Sequence, residues 1–219
     1  MENQNKVSEI AFKKRLKKLN LTNPVEGFLC HKEVSKPMAG LHTISVCDIR
    51  HPKATKIIAE IENLIKTCKN HNQIFWELKF LYRQLCDLTL VKQKVVHNII
   101  PTVGRSVIAQ RFANTTTYTG VVNYGAVGSS NTAPVNGDTT LTTETFRKAI
   151  SSAAYASNIA YLSNFYSASD FTGTVEEAGW FIDGTSSVDT GQILSHFLTT
   201  TIAKAATETL TCESEITIS

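Results

Sequence analysis

The sequence predicts an α+β protein, with an N-terminal helical module followed by a C-terminal antiparallel β-sandwich. Three observations point there. Residues 57–68 place Ile57, Ile58, Ile61, Leu64, Ile65 and Cys68 on one stripe at helical spacing. Beyond residue 100 the chain breaks into short apolar runs separated by Gly, Asn, Asp, Ser and Thr, the rhythm of a sandwich. Between these regions the charge changes sign. Residues 1–100 hold 17 Lys and Arg against 9 Asp and Glu, whereas residues 101–219 hold 5 against 10. A boundary near residue 90 follows, dividing a basic, mainly helical docking module (1–90) from a β-sandwich structural domain (91–219).

The elements can be justified in order. "EIAFKKRLKKLNL" is a short, weakly amphipathic segment with Lys13, Lys14 and Arg15 at its centre. Pro24, Gly27, Pro37 and Gly40 then interrupt the chain. "LHTISVCDI" from Leu41 alternates as a short strand does. A helix starts near Pro52, a residue suited to a first turn, and a second covers "QIFWELKFLYRQLCDL". The two form a hairpin about Asn70–Asn72, or use their stripes to pair with another subunit. A short helix is expected over Val103–Phe112, after Pro101. Strands are expected in "TGVVNYGAVG", "TFRKAISSAAY", "SNIAYLSNFYSA", "GTVEEAGWFID", "GQILSHFLTTTI" and "ETLTCESEITIS". In the last, Leu210, Cys212, Ile216 and Ile218 face one way, and Thr209, Thr211, Glu213, Glu215 and Thr217 form a face expected to be wet. Asn136-Gly137 and Asp183-Gly184 are turn dipeptides.

Composition limits the function classes. The 219 residues are 42% hydrophobic, enough for a core and too many for a disordered chain. No run approaches the ~18 apolar residues of a membrane helix. Residues 1–18 lack the apolar core of a signal peptide, so synthesis in a cytoplasm is expected. The odd count of five cysteines, widely spaced, argues for free thiols rather than a disulfide framework. Cys30, His31, Cys47, His51, Cys68 and His71 lack the tight ligand pairs of a zinc site, so no metal is expected.

Catalytic groupings are equally sparse, and neither catalytic residues nor a cofactor are expected. "GAVGSS" lacks the Gly-Lys-Ser/Thr ending of a phosphate loop and reads as a turn. Glu176 and Glu177 are adjacent and face opposite sides of a strand. His196 sits in an apolar strand with no evident carboxylate partner, and His97 reads as a strand end. Glu144 and Arg147 are close enough for a structural ion pair. The Lys13–Arg15 segment lacks aromatics to stack bases, so a solvated helix face, or a patch that docks on an acidic protein neighbour, is expected rather than a nucleic-acid site.

The pieces "HNIIPTVGRSVIAQRF", "NYGAVGSSNTAPVNGDTTLTTETFRKAIS" and "GTVEEAGWFIDG…GQILSHF" resemble, in order and spacing, the virion-attached domain of tail-collar fibre proteins of tailed bacteriophages. The matching residues are Gly125–Gly128, Thr132-Ala133-Pro134, Leu141, Glu144, Arg147, Glu177–Phe181 and Ile193–Phe197. The resemblance spans residues 95–219 and implies a structural virion protein, made in the host bacterial cytoplasm, that works by assembly. In the family this domain opens a long fibre; here it closes the sequence, so a tail, baseplate, collar or fibre-attachment role is expected. The alternatives are a head-surface decoration protein and a nucleic-acid-binding accessory protein acting through the basic half. Other virion proteins are the expected partners, in a homo-oligomer for which the resemblance implies a trimer. Candidate subunit contacts are Trp180 and Phe181, Ile61, Leu64 and Trp76 on the helices, and Lys13, Lys14 and Arg15.

Overall fold

A computed structural model describes residues 39–68, 71–115 and 117–218. Lys13, Lys14, Arg15 and the weakly amphipathic segment around them lie outside these residues. Strand β1 (Ala39–Asp48) begins the fold. Helix α1 (Pro52–Thr67) follows, with Pro52 in its first turn and His51 Nδ1 accepting from the Lys53 amide at 3.2 Å. Helix α2 (His71–Thr89) runs directly into β2 (Leu90–His97), and α3 (Thr102–Phe112) comes after Pro101. The remaining strands are β3 (Val122–Gly128), β4 (Glu144–Ala149), β5 (Ser152–Ala156), β6 (Ile159–Tyr166), β7 (Gly173–Ile182), β8 (Gln192–Lys204) and β9 (Glu208–Thr217).

The strands form two antiparallel sheets, ordered β2-β1-β9-β6-β5 and β4-β3-β7-β8. Alternation sorts the side chains. Ile44 and Val46 of β1, and Leu210, Cys212 and Ile216 of β9, face inward and meet Val127, Val175, Trp180, Phe197 and Ile202 of the other sheet. The opposite face of the five-stranded sheet carries α1 and α2. There Ile61, Ile74, Leu78, Leu81, Tyr82 and Leu85 pack with Cys47 and Phe165. The molecule is thus three layers: helix pair, five-stranded sheet, four-stranded sheet.

Two expectations change. The boundary at residue 90 cuts through a single sheet: β1 pairs with β9 from Ala39↔Thr217 to Asp48↔Glu208, and β2 pairs on its other side. Residues 39–90 therefore contribute a central strand to the sandwich rather than forming a separate helical module. The expected wet face of β9 is also covered. Thr209 and Thr211 are buried, and Glu215 accepts a hydrogen bond from Lys79 Nζ of α2 at 3.2 Å. The helices need an apolar or hydroxyl-lined floor, and this face of the sheet provides it.

Candidate functional site

The polar groups that could do chemistry gather in three places. The first holds the Gly-Thr-Ser-Asp loop between β7 and β8. Arg147 and Glu144, both on β4, form a two-pronged ion pair with Nε to Oε1 at 2.5 Å and Nη2 to Oε2 at 2.7 Å, both side chains almost wholly buried. The remaining nitrogen, Nη1, donates to Thr190 O at 2.8 Å, Thr190 Oγ1 at 2.9 Å and Thr185 O at 3.2 Å. Beneath it the guanidinium lies 4.6 Å from the centre of the Phe181 ring. The loop that carries no reactive group is thus fastened to the sheet by Arg147 of β4 and by Asn123 of β3, whose side-chain amide exchanges two hydrogen bonds of 2.8 Å with the Gly184 backbone.

The second place centres on His196 of β8. Its Nε2 lies 2.9 Å from Glu177 Oε2, and its Nδ1 lies 2.8 Å from Asp138 Oδ2. Carboxylates can only accept, so both ring nitrogens donate and the ring is the imidazolium. Burial opposes that charge, yet the hydrogen bonds to Glu177 and Asp138 hold the His196 pKa above its ordinary 6.5. Burial likewise works to raise Glu177, but His196 and the Thr143 and Thr142 amides bring its pKa below the ordinary 4.5. Those amides donate to Glu177 at 2.6 and 2.9 Å. The sequence expectation of a histidine without carboxylate partners is corrected: it has two. Both nitrogens are occupied, so the ring has no free position from which to act as a base on a substrate.

The third place lies between the sheets. Trp180 Nε1 donates to Ser214 Oγ at 2.6 Å, and Ser214 Oγ bonds His42 Nδ1. His42 Nε2 faces Ser195 Oγ at 3.4 Å, and Asn98 Nδ2 donates to the same oxygen at 2.7 Å. The Ser214 hydroxyl accepts from Trp180 and still has a lone pair and a proton, so it can pair with either tautomer of the His42 ring. Burial pushes the His42 pKa down to about 3. The ring stacks on Phe197 with centroids 3.8 Å apart. A serine beside a histidine is the start of a nucleophile–base pair. Here His42, Ser195 and Ser214 are all buried between the sheets, where a substrate has no approach. Among the described residues no group of three or more His, Cys, Asp or Glu is arranged to hold a metal ion. No helix among them is long and apolar enough to cross a membrane.

The proposed contact residues divide. Trp180 and Phe181 are adjacent on β7 and face opposite sides of it, and both are interior, at 1% and 0% exposure. Trp180 fills the space between the sheets, and Phe181 packs with Ala126, Leu141 and Ile193 under Arg147. Ile61 is enclosed by the helix pair and the sheet. None of the three retains surface for another subunit, because the chain's own layers cover them. Leu64 lies half-buried at the edge of the helix cluster. Trp76 is half-buried, with its ring centre 5.6 Å from that of Tyr161.

The apolar side chains that do reach solvent are others. Phe112 ends α3, Val121 precedes β3, and Val188 stands on the arginine-held loop. Thr119 donates to Asp183 through its amide at 2.8 Å and through its hydroxyl, which ties the 117–121 segment to that loop. A second group, Leu90, Val91 and Val95, lies on β2, an edge strand with one unpaired side. In sequence the signal was faint: single apolar residues among turn residues, and a strand whose edge position depends on pairings made far away. No protein-family model, curated protein or solved structure matches this chain.

Proposed function

We propose that this protein is a structural component of a tailed-phage virion, at the tail, baseplate, collar or fibre attachment, acting by protein–protein assembly. The observation that carries the reading is where the family-like residues lie. Gly125–Gly128, Glu144, Arg147, Glu177–Phe181 and Ile193–Phe197 are drawn from 73 positions of sequence, yet they lie on adjoining strands β4, β3, β7 and β8, while Leu141 packs with Phe181 and Ile193 and Thr132-Ala133-Pro134 lies in the β3–β4 connection. They also support one another: Glu144 holds Arg147, Glu177 holds His196, and Gly125 leaves room for the Trp180 ring. A set of motifs that converges on one sheet is what a shared domain would preserve. Scattered chance matches would have no reason to interlock.

In this reading the buried ion pairs shape a rigid block, and the exposed apolar groups at the loop end and on β2 dock against neighbours. Copies associate as a homo-oligomer, with the trimer implied by the resemblance. The test is to purify particles from the producing culture on a density gradient, disrupt them and search for peptides of this chain by mass spectrometry. Peptides at a fixed ratio to other particle proteins are expected. Abundance in the lysate with none in disrupted particles would reject the proposal. Antibody labelling of intact particles then separates a tail position from head-surface decoration.

A further inference from the structure

We propose that Cys47 and Cys86 are a redox modification site, at which a peroxide converts two thiols into a disulfide that staples the helix pair to the five-stranded sheet. The two residues are 39 positions apart, and their sulfurs sit 3.4 Å from each other. Cys47 lies on the helix-facing side of β1, beside the register shift between Val46 and Cys47. Cys86 lies in the last turn of α2. A disulfide needs the sulfurs at about 2.05 Å, so a closing movement of little more than an ångström joins them. Cys212, by contrast, is on the inter-sheet face of β9, across the sheet from this pair.

Exposure assigns the roles. Cys86 is half-buried and reachable, while Cys47 is buried beneath it. The hydrogen bond from Cys47 lowers the Cys86 pKa, whereas Cys47 is raised by that same contact and by burial. Cys86 is therefore the thiolate that meets the oxidant. Its sulfur attacks one peroxide oxygen, the O–O bond breaks, and the departing hydroxide takes a proton to become water. Cys86 is now a sulfenic acid. The Cys47 sulfur attacks the Cys86 sulfur, the S–O bond breaks, and the Cys47 proton leaves with that hydroxide as a second water. Two thiols are oxidised and one peroxide is reduced. The closed loop contains α1 and most of α2, so the staple restricts the unfolded chain across the whole helix pair.

The test uses the unaltered protein. It is treated with hydrogen peroxide, capped with N-ethylmaleimide, digested without reductant and mapped by mass spectrometry. A peptide joining Cys47 to Cys86, lighter by two hydrogens than its separate parts, is expected. The thermal midpoint should rise by several degrees and return after dithiothreitol. In Cys47→Ser, Cys86 should persist as a sulfenic acid that dimedone labels. A Cys47 that stays open to alkylation while Cys86 proceeds to the sulfinic acid would overturn the proposal. So would a Cys86 found joined to Cys30 or Cys68.

Discussion

His196 and His42 are buried in the same sandwich and hold opposite charge states, and this sets the pH dependence of stability. Folded His196 keeps a proton that the unfolded chain releases near 6.5, so its contribution is complete below that pH and is lost as pH rises through the higher folded value. Folded His42 refuses a proton until about pH 3, so the folded state loses ground as pH falls from 6.5. Glu177 adds to the acid side, because its depressed pKa makes a contribution that is present above 4.5 and lost below. Glu213, whose pKa burial raises, has the other sign: its contribution holds below 4.5 and fades as pH climbs. Stability in urea should therefore peak in mildly acidic to neutral solution. His196→Gln should flatten the alkaline fall and weaken the Glu177 part of the acid fall, while the part due to His42 remains; an unchanged alkaline slope would contradict the charge assigned to His196. The partners of His196 were not legible in the sequence. Asp138 is 58 positions away and Glu177 is 19, and no local pattern connects a strand histidine to either. Gly128 makes a second residue-scale case. A Cβ there would collide with Thr143 O and lie 2.5 Å from Glu177 Oε1, so Gly128→Ala should cost about 1–3 kcal/mol. Gly137 has nothing within 4 Å, and Gly137→Ala should stay within about 0.5 kcal/mol. Chemical denaturation of the two variants side by side checks the contrast.

Between strands, the loop from Asp183 to Gly191 is held at its start by Asn123 of β3 and further along by Arg147 of β4. Arg147→Met leaves Glu144 buried without its cation, and a loss of about 3–5 kcal/mol is expected. Arg147→Lys keeps a charge but cannot form the fork to Glu144 together with the donors to Thr185 and Thr190. That variant should remain folded, with faster amide exchange at Thr185 and Asp189 than in the parent protein. Exchange no faster than in the parent protein would mean that the loop holds its own shape. The elements themselves were largely legible. The stripe from Ile57 to Cys68 foretold α1, and the alternation from Leu41 foretold β1, because period and burial are local properties of a sequence. The face of β9 was misread for the converse reason. Thr209, Thr211 and Glu213 alternate as solvent-facing residues do, and nothing within the strand reveals that α2 lies over them.

Across the whole molecule, the order β2-β1-β9-β6-β5 sews both halves of the chain into one sheet. The change of charge near residue 90 suggested two domains, but charge reports on surface, and strand pairing does not follow it. Ile44 and Val46 of β1 are fully buried against the second sheet, so removing β1 strips the main core as well as the backbone partners of β2 and β9. Such long-range pairing places a strand from the start of the described fold beside one from its end, a contact that sequence spacing does not disclose. The same weave joins residues from both halves of the chain in one sheet, with β1 and β9 side by side. The central claim, that one sandwich spans residue 90, is tested most directly by comparing residues 39–219 with residues 95–219 in amide-resolved nuclear magnetic resonance and urea unfolding. Dispersed resonances and a single cooperative transition are expected for 39–219, and collapsed resonances without a cooperative transition for 95–219. A well-dispersed, cooperatively unfolding 95–219 would contradict the account and restore an independent C-terminal domain.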